Sequence, residues 1–195
     1  MSYGGEKYQK IQHSPDYSIW LKVEPIQWRF LSRDGKNVQF VSEKVLDDHL
    51  WNATDHGDEA CPNNYKLSDI RQWLNSDFLQ QAFYYDSSLV QTVTVDNSPE
   101  STGDSSNLYA CEDTQDKIYL LSYKDITNEA YGFTDDTSRI AYDAFGGAHY
   151  FWLRSPYNGF NGHNYAFYVD ISGGASNLHV YDYYGVRPAL TRKLD

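Results

Sequence analysis

The stretch YFWLRSPYNGFNGHNYAFYVDISGGASNLHVYDYYGVRPALT, residues 150–191, decides the fold. Three strand-like runs stand in it, Tyr150–Arg154, Tyr165–Ile171 and Leu178–Tyr181, separated by segments rich in Asn, Gly and Asp. A fourth run, Gly185–Thr191, ends the series. Its Pro188 has no N–H to give to a ladder, so it belongs at a sheet edge or a bulge.

Working towards the N-terminus, the pattern changes several times. Lys117–Leu121 reads as a short buried strand, with a turn or helix starting over Ser122–Asp125. Residues 96–116 are polar enough to be a long surface loop, and Leu89–Val95 is an alternating strand. Before them stands the one clear helical stretch, SDIRQWLNSDFLQQAF, with Ser68 as N-cap and Ile70, Trp73, Leu74 and Phe78 at helical spacing. The Asn75-Ser76-Asp77 cluster predicts a second capping event, hence two short helices meeting at an angle. Residues 52–66 are loop by composition. Pro25–Ser32 alternates Ile26, Trp28 and Phe30 with Gln27 and Arg29; after the Asp34-Gly35 turn signal, Val38–Ser42 returns. That is a β-hairpin with one buried face. Strands, then helices, then strands predict an α+β fold with a mainly antiparallel sheet, two short helices and long loops.

The 195 residues fit one domain over residues 19–195, preceded by a polar lead-in over 1–18. No internal repeat or linker divides it. Lys and Arg total 16 against 27 Asp and Glu, a net charge of −11. A nucleic-acid partner needs a basic face, so none is expected, nor is docking on anionic lipid. The start MSYGGEKYQK has no basic run followed by an apolar one, and no stretch reaches the ~20 apolar residues of a membrane span. The expectation is a soluble chain without membrane insertion, of a kind that could be displayed on a virion or a cell surface. Cys61 and Cys111 form no CxxC pair, and two thiols cannot fill a structural zinc site; free thiols and a disulfide both remain open. The six histidines show no HxxxH or HExxH spacing, so no metal and no cofactor is expected. The composition is unusual in its 18 Tyr beside 9 Phe and 5 Trp. Tyrosine buries a ring while offering a hydroxyl, and an excess of it marks a recognition surface.

Three segments are more specific than composition. They are Ile70-Arg-Gln-Trp-Leu-Asn75 followed by Phe78, then Asp116-Lys-Ile-Tyr-Leu-Leu-Ser122, then Trp152-Leu-Arg-Ser-Pro156 paired with Gly185-Val-Arg-Pro-Ala-Leu190. In this order, over residues ~20 to 191, the chain resembles a bacterial and viral domain family that adopts a C-type lectin fold of the formylglycine-generating-enzyme-like subgroup. Members of that family often serve as the variable proteins of diversity-generating retroelements. In those systems an error-prone reverse transcriptase rewrites a C-terminal segment at template adenines. The resemblance implies a rigid scaffold displaying hypervariable side chains to a protein or surface ligand, with Trp152, Arg154 and Arg187 in the scaffold. It implies a receptor-binding or adhesion role and no catalysis.

Adenine mutagenesis of AAY codons yields NNY codons, which never encode Lys, Glu, Gln, Met or Trp. Between Ser155 and Val186 the chain contains none of these five, and no Arg either. The variable region is therefore placed at about residues 155–186. One half of the expected binding surface is Tyr157, Asn158, Phe160, Asn161, His163, Asn164 and Tyr165. The other is Ser176, Asn177, His179, Tyr181, Tyr183 and Tyr184. Tyr, Asn and Ser give adaptable contact at low entropy cost, as in antibody paratopes. Tyr119 and Tyr150, by contrast, sit in strands and read as core.

Other chemistries fit less well. Glu24-Pro25-Ile26 and Trp51-Asn52-Ala53 each match two letters of the calcium-lectin tripeptides EPN and WND, yet both lack the final oxygen ligand. Cys61 and Cys111 do not match the late, closely placed cysteines of formylglycine-forming enzymes. No GxSxG, P-loop or metal motif is present. The alternative is a fixed-specificity binding or adhesion domain of the same fold, not diversified.

Overall fold

The computed structural model describes residues 25–53, 62–83, 87–159 and 162–194 in full, and the backbone alone of Ser2–Tyr3, Glu6–Ser14 and Tyr17–Lys22. The stretch read as a polar lead-in contains strands: Glu6–Ser14 pairs antiparallel with Tyr17–Lys22. The fold is mixed α+β, with mostly antiparallel sheets and few, short helices.

A five-stranded sheet runs in the spatial order Ala175–His179, Tyr165–Val169, Phe151–Pro156, Tyr183–Val186, Asp47–Leu50. Its neighbours are antiparallel except for Phe151–Pro156 and Tyr183–Val186, which run parallel and share one laddered pair, Phe151 with Gly185. A four-stranded antiparallel sheet has the order Trp28–Asp34, Asn37–Ser42, Ala189–Lys193, Ile118–Tyr119. Pro188 sits where the chain leaves the first sheet for the second, a point where no ladder N–H is required. Its carbonyl accepts from the Ser42 N–H at 2.8 Å.

Alternation along the central strand feeds two separate cores. Phe151 and Leu153 join Val41, Leu121, Phe133 and Val169 on one face. Trp152 joins Trp51, Ile70, Leu74, Ala166 and Val186 on the other. With both faces covered, every residue of Phe151–Pro156 is buried. The first hairpin shares this two-sidedness, which corrects the expectation of a single buried face. A bulge between Phe30 and Ser32 inserts Leu31, which is 2% exposed, into the first core, while Phe30 is 55% exposed. Trp28 and Phe40 pack towards the second core. Gly35 makes the intervening turn at φ +58°, where a Cβ is unfavourable.

The helical stretch begins as expected, with the Ser68 Oγ accepting from the Arg71 N–H at 3.3 Å. It is one continuous run instead of two capped helices. Asp69–Trp73 widens into a π-helical turn over Leu74–Phe78 and resumes as Leu79–Ala82. Asn75 caps nothing. Its Oδ1 accepts from the N–H groups of Lys117 (2.8 Å) and Ile118 (3.2 Å), and its Nδ2 donates to the carbonyls of Arg71 (3.0 Å) and Ile118 (2.8 Å). The side chain ties the helix to the strand Ile118–Tyr119.

Residues 96–116 are polar but folded inward, against the reading of a surface loop. Pro99–Thr102 is a 3-10 turn, and Thr114–Asp116 pairs with Val93–Val95, the part of Leu89–Val95 that is a strand. Asn97, Thr102, Asn107, Thr114 and Asp116 are buried. The Asn107 amide donates to Thr102 Oγ1 (3.0 Å) and to the Pro156 carbonyl (2.9 Å), fastening this segment to the end of the central strand. Ser122 and Asp125 form a capping box at the helix Tyr123–Ile126. In 52–66, residues 54–61 lie outside the described residues; Tyr65–Leu67 is a 3-10 turn with Tyr65 buried.

Candidate ligand-binding surface

The frame comes first. Trp152 is fully buried, and its indole Nε1 donates to the His49 carbonyl at 3.0 Å. Arg154, 6% exposed, donates through Nη1 to Asp125 Oδ2 and the Leu120 carbonyl, both at 2.7 Å. Its Nη2 reaches the Asp96 carbonyl at 3.2 Å. Arg187, 1% exposed, donates through Nε to the Ser42 carbonyl at 2.9 Å and lies 5.3 Å over the Phe151 ring. Its two terminal nitrogens have no hydrogen-bond partner among the described residues. Burial, reinforced by the like charge of Arg29, brings its pKa down to about 9.

The side chains of the expected binding surface fall into three places. Tyr157 packs edge-on against Phe167 at 5.4 Å, and Asn158 is tied to a loop, donating to Asp104 Oδ2 (2.8 Å) and accepting from the Leu108 N–H (3.3 Å). Both serve the frame as much as a surface. Phe160 and Asn161 lie outside the described residues. A second group gathers at the outer edge of the sheet. Tyr165 and His179 are cross-strand partners with rings 5.5 Å apart, His179 stacks on Tyr181 at 5.0 Å, and the Asn164 amide meets His163 Nε2 at 2.9 Å. Asn177 lies opposite Phe167 on that same face.

The third group forms a row on the other face, crossing all five strands. Ser176 is paired with Tyr168, Tyr168 with Trp152, and Tyr184 with His49. Tyr184 bridges the row, its ring 4.8 Å from Tyr168 and 5.3 Å from Trp152. Tyr150, two residues before Trp152 and thus on the same side of its strand, closes the cluster at 5.0 Å from Tyr184. Tyr150 is half-buried and not core, unlike Tyr119, which is buried.

This cluster borders an open notch of about 530 Å³ lined by Asp48, His149, Tyr150, Tyr183 and Tyr184. Its position follows from the topology. The parallel pair is laddered only at Phe151 and Gly185, so the residues just N-terminal to each flank an unladdered gap. His149 and Tyr150 stand on one side, and Tyr183 and Tyr184 on the other. Asp48, opposite Gly185 on the next strand, completes the mouth. Asp48 Oδ1 is 3.6 Å from His149 Nε2, while His149 Nδ1 meets the Tyr150 carbonyl at 2.8 Å. Tyr183 is 68% exposed. Burial, then the neighbouring Tyr168 and Tyr150, and more weakly Asp182, push the Tyr184 hydroxyl above the ordinary tyrosine value. Asp48 and His149 were not picked out from the sequence, and Tyr150 was read as core. The one available signal was the i, i+2 spacing of Tyr150 and Trp152.

Cys111 is a free, partly buried thiol whose pKa burial raises. Among the described residues no group of three or more His, Cys, Asp or Glu could hold a metal ion, and no helix is long and apolar enough to cross a membrane. A search of curated proteins and one of solved structures return no match to this chain. A family model does match, over residues 36–194, which is most of the chain. The chain belongs to the family described as domain of unknown function DUF6273.

Proposed function

We propose that this chain is a binding module without catalytic turnover, built on a C-type lectin fold, in which a retroelement-diversified segment presents its side chains to a protein or surface ligand. The observation that carries the reading is the notch. Tyr183 and Tyr184, from the segment free of Lys, Glu, Gln, Met and Trp, complete an open aromatic site on strands anchored by two packed cores. A surface that tolerates wholesale substitution must contribute little to stability, and a sheet held from both faces meets that requirement.

The coding DNA tests diversification directly. A nearby repeat matching codons 157–184 and differing at adenines is expected; its absence removes this part of the proposal. The surface role has its own test. Replacing Tyr183, a 68% exposed wall of the notch, with Ala is expected to weaken ligand binding at least tenfold and lower the melting temperature by only a few degrees, about 1 kcal/mol. A collapse in stability would mean that this ring serves the core and not a surface.

A second reading, a fixed-specificity adhesion domain, is favoured by one observation. Asp48, His149 and Tyr150, three of the five notch walls, lie outside residues 155–186. It predicts sibling copies of the chain with identical residues at 183 and 184.

A further inference from the structure

The walls of the notch are three phenols, one imidazole and one carboxylate, with no Lys or Arg among them. Each phenol ring carries negative potential on its faces, and the Tyr150–Tyr184 and Tyr168–Tyr184 contacts, edge-to-face and tilted, gather three such rings beside one opening. The Asp48 side chain stands about half exposed at the mouth, with the His149 imidazole 3.6 Å away. An anionic ligand would meet Asp48 and the ring faces without a guanidinium or ammonium to receive it.

We propose that the notch takes the ammonium or guanidinium of a Lys or Arg side chain on a protein partner, seated on the Tyr150 and Tyr184 rings with Asp48 as its counter-ion. The inference rests on the binding reading above and names the chemistry of its ligand. A cation within about 6 Å of a ring centroid is attracted by the quadrupole, and a charge-assisted bond to a carboxylate adds direction. The net charge of −11 raises the encounter rate with a basic partner over a neutral one.

The probes are three capped tripeptides, acetyl-Gly-Lys-Gly-amide and its Gln and Glu counterparts, titrated into the full chain while the ring resonances of Tyr150, Tyr168 and Tyr184 are followed. The Lys peptide is expected to bind about tenfold more tightly than the Gln peptide. Asp48→Asn removes most of that preference, whereas Glu100→Gln, which takes the same charge from an exposed site on another element, leaves it. Equal affinity for all three peptides, or a preference that survives Asp48→Asn, overturns the proposal. Selection of a random peptide library on the chain separates this failure from a wider one. Binders that Tyr184→Ser abolishes but that carry no basic residue overturn the cation and leave the binding reading standing. A library that yields no binder sensitive to Tyr184→Ser overturns both.

Discussion

Arg154 and Arg187 look alike in the sequence, each in an apolar run and next to or near a proline, yet their surroundings differ in the term that matters. Arg154 satisfies the Asp125 carboxylate and two backbone carbonyls. Arg154→Met would strand those groups, and a loss of about 3–5 kcal/mol in urea unfolding is expected, the cost of breaking a buried pair on one side. Arg187 has one hydrogen bond and a ring contact to set against the desolvation of a whole guanidinium. Arg187→Met, of similar reach, is expected to fall within about 1 kcal/mol of the parent or to stabilise it. The sequence reads both as inside apolar strand runs, yet only Arg154 lies in a strand, Arg187 falling in the link between Tyr183–Val186 and Ala189–Lys193; nor could it show which one finds partners, because Asp96, Leu120 and Asp125 reach Arg154 only through tertiary contact. Asn75 teaches the same point. An Asn inside a helical pattern suggests a cap, and only the approach of the strand at Ile118 offers its amide better partners.

At the scale of elements, two turns of the form Asp-x-x-Gly-Gly make a matched pair. In Asp143–Gly147 and Asp170–Gly174 the carboxylate accepts the N–H groups two and four residues on, and the fourth residue is a glycine at φ +86° or +87°. Local chemistry explains both turns and was readable in advance as Gly- and Asp-rich punctuation. Their environments differ. A Cβ on Gly146 meets open space, whereas one on Gly173 would overlap the Asp136 carbonyl, where the helix Asp136–Arg139 docks and the Arg139 Nε donates to the Gly173 carbonyl at 2.9 Å. Gly146→Ala is expected to cost the backbone strain alone, about 1 kcal/mol. Gly173→Ala is expected to cost about 3 kcal/mol or more. Thermal melts of the two variants side by side check the difference. Residues 96–116 show the opposite limit of legibility. Their composition matches a solvated loop because Asn, Ser and Thr satisfy water and one another equally well, and composition does not record which they have chosen.

For the molecule as a whole, buried phenols set the alkaline limit. Burial raises the hydroxyls of Tyr65, Tyr119, Tyr131 and Tyr184 above the ordinary tyrosine value of about 10. A group whose folded pKa is raised contributes stability that is complete below its unfolded value and is lost as pH climbs towards the folded one. Arg187 acts in the other direction: with its folded pKa lowered to about 9, its burial becomes less unfavourable as pH rises from there towards the ordinary arginine value. One group offsets part of four. Stability is therefore expected to decline above about pH 10, with the tyrosinate absorbance of the folded chain lagging that of the urea-unfolded chain. Coincident titration curves would mean that these rings are solvated.

What the sequence determined by itself is short-range: the hairpin turn at Gly35, the helix start at Ser68, the strand runs at Tyr150–Arg154 and Tyr165–Ile171, the acidic balance and the crowding of tyrosine near the C-terminus. Each follows from turn chemistry, capping or periodicity within a few residues. The run Leu178–Tyr181 is a strand over Ala175–His179 instead, and Gly185–Thr191 breaks at Arg187-Pro188 into strands of two sheets. The tertiary structure alone decided that Leu31 bulges inward, that both faces of the central sheet are covered, and that the expected surface divides into three. It also assembled the notch from residues 48, 149–150 and 183–184. The Trp152 indole reaches the His49 carbonyl across 103 positions, and no local pattern registers a pairing of that separation. A notch made where strands from distant parts of the chain lie side by side is set by which strand neighbours which, and that is a property of packing.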